Sequence, residues 1–496
     1  MRGKGVNLNP LTNVESIPYF IPELILVAFA MGVILFDLFA AKNRNSEGTA
    51  YLSLIGLAAT LIAVIAVGPA ERSLFLGMIR LDSFAVFFKV IILIATAATI
   101  LFSIRSDELD PRTKGEYYAL LLSVSLGMFL MASSTNLLMI YLSLETVSIT
   151  SYILAGFLTH SPRSSEAAFK YITYGAVASG TMLFGLSLLF GLTGTGDVAQ
   201  ISNRLTEMFS AGNSNQLAVL LSITFILAGV GYKIASVPFH MWSPDVYEGA
   251  PTPITAFLSV ASKSAGFALF IRFFYSGFTS ANESVDWSLM LAVISALTMT
   301  VGNLSALPQR NVKRLLAYSS IAHGGYLLMG GVLLTPEGLQ AILFYLAVYL
   351  FMNLGAFFVV ILIAREIGSE TIDGYRGLLS RAPLVAVSMA IFLFSLTGLP
   401  PFAGFAGKWL LFLAVIEKHI YWLAIIGLLN SVISLYYYVR IVKAMFLDTS
   451  DDTAPVSFSA GNLVLLIIFV IPTLLFGLYW TPLYEWSKVS LGKIMG

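Results

Sequence analysis

Apolar runs of about twenty residues, the length a helix needs to cross a bilayer core, recur along almost the whole chain. Lipid offers backbone groups no hydrogen-bond partners, so such runs must form helices or a closed barrel. They are continuous rather than alternating, which excludes a barrel. Fourteen spans are read near 18–40, 50–68, 83–104, 115–133, 136–158, 166–191, 215–236, 252–274, 286–306, 311–331, 337–364, 382–399 continuing to 417, 420–446 and 460–481. Composition agrees: 57% of the 496 residues are hydrophobic and 11% charged, against about 25% charged in soluble proteins. The expected fold is an all-α polytopic membrane protein, with residues 1–496 forming a single integral domain. Within it lie three N-terminal helices (18–104), a first repeat (115–274), a second repeat (286–446) and a C-terminal helix (460–481).

Several functions are excluded early. There is no cysteine, so this chain holds no iron–sulfur cluster and no c-type haem. A net charge of +1 points to no nucleic-acid partner. The start is polar through Glu15, and the run after it lacks the short length and cleavage site of a signal peptide. "GTGDVA" from Gly194 fits a loose dinucleotide pattern but follows a span rather than a strand, so it reads as a loop.

Orientation follows the bias of Lys and Arg among the loops. One set holds Lys42, Arg44, Arg105, Arg112, Lys114, Arg163, Arg310, Lys313, Arg314, Arg365, Arg376, Arg381, Arg440 and Lys443. The opposite set is poorer, with Arg72, Arg80, Arg204, Arg272 and Lys418, and Arg2, Lys4, Lys488 and Lys493 on the tails. The first set is expected to be cytoplasmic, with both termini outside.

A weak internal repeat is visible. "YLSLETVSITSYIL" from Tyr141 resembles "YSSIAHGGYLLMG" from Tyr318. The stretch from Glu166 resembles that from Leu339, with Tyr171 over Tyr345, and "SVPFH" resembles "LPPFAG". Spans 4–8 then recur as spans 9–13. Five helices is an odd number, so the second copy is expected inverted, with a broken helix in each half. The breaks are predicted at Pro238 in span 7 and at Pro400–Pro401 in span 12.

Charges within the spans carry the functional signal. Lys263 lies eleven residues from Thr252 and eleven from Phe274, about 16 Å from either end at the helical rise. Glu145 lies nine residues past Asn136, about 14 Å deep. Lys233 precedes the first break and Lys408 follows the second. Each such charge costs about 2.5–3.5 kcal/mol at a helix centre, so these four are expected to work rather than fill space. Lysine in apolar surroundings gives up its proton more readily than in water, and a nearby carboxylate reverses that preference. Glu145 and Lys233 are the natural switching pair. Proline breaks free backbone carbonyls and create a hinge. Sodium sites favour carboxylate and carbonyl oxygens, whereas buried lysines repel cations and relay protons. His240 and His323 are further polar groups without metal-ligand spacing. Lys170 and Arg272 lie near span ends, where snorkelling to the interface is expected.

Long stretches resemble one family. "GYKIASVPFHMWSPDVYEGAPTPITAFLSVASK" (from Gly231), "NVKRLLAYSSIAHGGYLL" (from Asn311) and "GLPPFAGFAGKW" (from Gly398) are similar to the antiporter-like subunits of respiratory complex I. The likeness is greatest to the branch called subunit N or subunit 2. The resemblance implies a proton channel in the membrane arm of an NADH:quinone oxidoreductase or its ferredoxin-using photosynthetic relative. It implies proton uptake from the cytoplasm by Lys233, transfer through Lys263 with His323, and outward release from Lys408. Lys170 would tune Lys233 by like-charge repulsion, and Glu116 matches a further family carboxylate. This chain then binds no cofactor; flavin, iron–sulfur clusters and quinone belong to partner subunits. The implied partners are other membrane-arm subunits, including a paralogue and its lateral helix. The implied location is the bacterial inner membrane, or the thylakoid for the photosynthetic relative. A subunit of a multi-subunit Na⁺/H⁺ antiporter or membrane-bound hydrogenase is the competing expectation, and a scaffold with relict charges a third.

Overall fold

The computed structural model describes residues 10–40, 46–104, 106–210, 216–278, 287–332, 334–450 and 454–492. Both tails' outermost residues, Lys42, Arg44 and Arg105, which entered the orientation reading, lie outside the described residues. Helix dominates the described residues, which hold one short antiparallel hairpin pairing Arg72–Leu74 with Ile79–Leu81. Among the described residues, twelve helices are long and apolar enough to cross a membrane. Two expected spans fall outside that set for visible reasons. Val312–Gly331 carries Lys313, Arg314 and His323, and the other is broken into Pro383–Thr397 and Ala403–Glu417. Between the sixth and seventh expected spans lies a helix, Val198–Ser210, that buries Val198, Ile201 and Leu205, a one-sided stripe that vanishes in an average over the stretch.

The chain divides into two compact units: Met1–Ile234 with Ala261–Met290 and Lys488–Gly496, and Ala235–Val260 with Leu291–Ser487. Each unit contains a helix of the same build. In the first, Ser161 caps Pro162–Thr193 by accepting from Ser164 N–H, and Gly194 ends it in the left-handed region at φ 69°. In the second, Thr335 caps Pro336–Ile367 by accepting from Gly338 N–H, and Gly368 ends it at φ 73°. Both helices run 32 residues. Tyr171 and Tyr345 occupy the same place in each, nine residues after the leading proline. An oxygen-bearing cap, proline in the first turn and glycine past the end are the local chemistry that starts and stops a helix.

The two breaks are built differently. Gln216–Ile234 stops where Ala235 turns left-handed at φ 57°, a conformation that costs a non-glycine residue about 1–2 kcal/mol. Val237 N–H then donates to Thr298 Oγ1 at 3.0 Å. Pro383–Thr397 instead ends on Gly398 at φ 92°, where glycine carries no such cost. Gly404 N–H donates to Ser395 Oγ at 3.0 Å, tying the following half-helix back onto the preceding one. The Val237–Pro238 and Pro400–Pro401 peptide bonds are cis.

Arg272 corrects the sequence reading. It does not snorkel; it is 2% exposed and forms a two-pronged ion pair with Asp82, both N···O distances 2.8 Å. Its Nε–H donates to the carbonyl of Ala132 at 2.8 Å. Asp82 lies outside the helical spans, just before Ser83, and so supplied no signal within a span.

Candidate functional site

Each unit contains a buried lysine site. In the first, Glu145, Ser148 and Tyr152 lie on Leu137–Ala155 at i, i+3 and i+7, one face of the helix. Lys233, near the end of Gln216–Ile234, donates to Ser148 Oγ at 3.5 Å. The Glu145 carboxylate acts on its charge. Glu145 is half-buried, and its Oε1 is enclosed with no hydrogen-bond partner among the described residues. Tyr232, beside Lys233, donates to the carbonyl of Tyr171 at 2.9 Å. Gly175 makes room for these phenols: a Cβ there would lie 2.8 Å from the Tyr232 hydroxyl.

Lys263 belongs to the same unit. It follows a π-helical turn, Leu258–Ser262, in the continuous apolar span Thr252–Phe278. Such turns concentrate at functional positions. Gly266, on the same face three residues later, lets the stem of Lys233 pack close; a Cβ would come within 3.3 Å of Lys233 Cγ. Lys233 thus meets the helix of Glu145 at Ser148 and the helix of Lys263 at Gly266.

The second unit surrounds Lys408 with neutral partners. Its Nζ donates to the Thr397 carbonyl at 2.8 Å and to Ser431 Oγ at 3.3 Å, and sits 4.2 Å from the centre of the Tyr326 ring. Thr397 is the last residue of Pro383–Thr397, so the ammonium meets the negative end of a helix. Gly398 lies under the lysine stem. A cavity of about 500 Å³ between Ala403–Glu417 and Tyr421–Phe446 reaches Lys408, with Phe412, Tyr421 and Leu428 in its walls.

His323 lies in this unit too. Its Nδ1 is 2.6 Å from Tyr345 Oη, and its Nε2 is 3.4 Å from Tyr438 Oη. Tyr438 makes a further short hydrogen bond with Ser319 Oγ. Lys233, Lys263, Lys408 and His323 are only 2–4% exposed.

The other predicted residues lie elsewhere. Lys170 is one-third exposed and pairs with Glu166 at 2.7 Å, compensating its charge on its own helix. Glu116 is exposed in the first turn of Lys114–Ser133. His240 lies half-buried in the segment after the Pro238 break. Sequence reasoning missed a buried pair, Lys89 and Glu23, at 2.5 Å; both sit in otherwise apolar runs and were available as a signal. It also missed the buried phenols of Tyr326, Tyr345, Tyr437 and Tyr438, whose clustering only the packing reveals.

Comparison with known proteins agrees with this architecture. The pattern of the family described as "NADH:quinone oxidoreductase/Mrp antiporter, TM" matches residues 134–434. NADH-quinone oxidoreductase subunit N of Anaeromyxobacter sp. is 46% identical, over 98% of each chain. NADH-quinone oxidoreductase subunit N 2 of Chloroherpeton thalassium is 48% identical, over 96% of this chain and 94% of the other. A chain of respiratory complex I from Thermus thermophilus superposes with a TM-score of 0.76 at 30% identity, covering 94% of this chain and 98% of that one. A chain of the Mrp complex from Dietzia sp. reaches 0.79 at 21% identity, covering 97% and 100%, and shares the fold.

Proposed function

We propose that this chain, which belongs to the NADH-quinone oxidoreductase subunit N family, moves protons across the membrane through its half-buried Glu145 and its buried Lys233, Lys263, His323 and Lys408. The observation that supports this is the burial of Lys233 and Lys263 within membrane-crossing helices and of Lys408 in the broken span, each to 2–4% exposure. Such charges are costly and mark ion pathways. In this reading Lys233 takes a proton from the cytoplasmic side while Glu145 sets how firmly it is held. Lys263 passes the proton on, and Lys408 releases it outward. Lys170 adjusts Lys233 whenever its pairing with Glu166 loosens.

The driving energy comes from redox chemistry in other subunits, which carry flavin, iron–sulfur clusters and quinone. This chain makes and breaks no covalent bonds. Its partners are the other membrane subunits of the complex, including a paralogous antiporter-like subunit and that paralogue's lateral helix. Its place is the bacterial inner membrane with both termini outside.

The test is Lys263→Ala in the assembled complex. Proton translocation per electron should fall sharply while the complex still forms on a native gel. An unchanged proton-to-electron ratio overturns the relay.

A further inference from the structure

Lys408 stands at the inner end of the cavity between Ala403–Glu417 and Tyr421–Phe446, and the walls there are of another kind. Trp409, Phe412, Ile425 and Leu428 make them apolar. Trp409, Ile425 and Leu428 are 49%, 58% and 61% exposed, so the cavity opens sideways, out of this unit. Tyr421–Phe446 is a membrane-crossing helix. Lys408 lies nine residues before Glu417, the end of its own half-helix, about 14 Å inward. The mouth therefore lies at the depth of the hydrocarbon layer.

An ammonium has three N–H donors. Lys408 uses one on the Thr397 carbonyl and one on Ser431 Oγ, the start of a short string that continues to the Tyr326 hydroxyl. The Tyr326 ring faces the charge without offering it an oxygen. The third N–H thus has no oxygen acceptor, and the charge no carboxylate, among the described residues. A mostly apolar space of about 300–1,000 Å³ with a few polar groups is the usual form of a small-molecule pocket. Here about 500 Å³ of apolar space ends on one cation. Its complement has an apolar tail and an anionic head with an oxygen for that N–H. The complement also has to arrive through lipid, where charge is costly. A carboxylic acid meets both conditions, since it is neutral with its proton and anionic without it. A phosphodiester head keeps its charge and does not.

We propose that this cavity binds a long-chain carboxylic acid from the bilayer, with its tail along Phe412 and Leu428 and its carboxylate on Lys408. The acid enters uncharged. Its O–H proton passes to the unprotonated Lys408 amine, leaving an ammonium–carboxylate pair, and no other species is consumed. The bound anion gives Lys408 the carboxylate that the chain itself does not, and a carboxylate close by favours the charged form of a lysine. Lys408 then keeps its proton. In the relay reading, on which this consequence rests, Lys408 has to let that proton go, so the acid arrests pumping. The binding itself does not depend on the relay.

The experiment uses the whole complex in vesicles stripped of free fatty acid, with palmitic acid carrying a photoreactive diazirine on its tail. After illumination, label should be attached within residues 403–431, and excess unlabelled palmitic acid should remove it. Hexadecanol has the same tail without the acid. It should compete roughly tenfold more weakly, the effect of losing a charge-assisted hydrogen bond. Lys408→Met keeps the apolar walls and should lose the preference for the acid over the alcohol. Ala424→Phe fills the cavity from a wall residue outside the Lys408 hydrogen bonds. It should take up far less label, pump as wild type does, and resist inhibition by the acid. If that variant does not assemble, Ile425→Trp replaces it under the same expectations. No label in this stretch overturns the site, as when a partner subunit fills the cavity. Equal competition by hexadecanol, or an unchanged preference in Lys408→Met, marks a groove for any lipid tail and overturns recognition of the acid. Failure of the relay is a separate observation: Lys263→Ala would pump normally and still take the label.

Discussion

The two units handle the lysine beside their helix break in opposite ways. In the first, Arg272 is matched by Asp82, Lys89 by Glu23, and Lys233 stands in the field of Glu145. In the second, Lys313 is paired with Glu370, but Lys408 has a helix-end carbonyl, a hydroxyl and an aromatic face, with no carboxylate paired to it among the described residues. The difference separates two tasks. A carboxylate is itself a titratable charge, so a cation beside it can be switched by protonating or moving its partner. A helix terminus and a ring quadrupole are fixed, so Lys408 answers only to its own proton and to what reaches it through Ser431 and Tyr326.

The sharpest way to break the comparison is to delete partners. Asp82→Ala leaves the Arg272 guanidinium buried and uncompensated, which should destabilise the first unit by about 3–5 kcal/mol. Lys408→Met leaves only neutral groups behind, and should cost about 1–3 kcal/mol, the range for an unsatisfied carbonyl. Heat challenge of the purified complex, with retention of this subunit as the readout, ranks the two; equal losses would erase the distinction. The pair also has a pH signature. Burial pushes the Asp82 carboxyl up, but the Arg272 charge, its two hydrogen bonds, the Ala85 N–H and Arg80 together hold it below its usual value. Its folded value is depressed, so the stabilisation is complete above the unfolded value near 3.9. It is lost as pH falls through the lower folded value. Wild-type complex should therefore become more heat-labile in acid, and Asp82→Ala should show less of that change.

How much of this was legible beforehand depends on what fixes each feature. The spans are set by hydrophobic transfer, summed over about twenty residues at a time, and are written in local composition. The lysines stood out for the same reason, as exceptions in apolar runs. The long helices were visible as a repeat because the stretches from Glu166 and Leu339 align, with Tyr171 over Tyr345. Pairings are another matter. Arg272 and Asp82 are 190 residues apart, and nothing near either residue announces the other. The helix Val198–Ser210 was hidden by averaging.

Glu145→Gln sharpens the comparison further. It keeps the shape and removes the switchable charge, so coupled turnover should fall roughly tenfold, the worth of about 1.4 kcal/mol in proton affinity. The pH profile of turnover should shift as well. A variant with wild-type turnover and an unshifted profile would leave Lys233 without a switch and make the two lysine sites alike.

The remaining test is on the other side. Tyr326→Leu removes both the ring beneath Lys408 and the hydroxyl that meets Ser431. A desolvated cation–π contact is worth about 1–2 kcal/mol, so turnover should drop roughly five- to thirty-fold at most if the ring matters through charge. Tyr326→Phe separates the causes. It keeps the aromatic face and loses only the hydroxyl, so it should restore the fixed electrostatics while leaving the Lys408 string cut. Turnover that recovers fully in Tyr326→Phe assigns the residue to holding the ammonium. Turnover that stays low assigns it to carrying protons, and brings the second unit closer to the first in the way its lysine is fed.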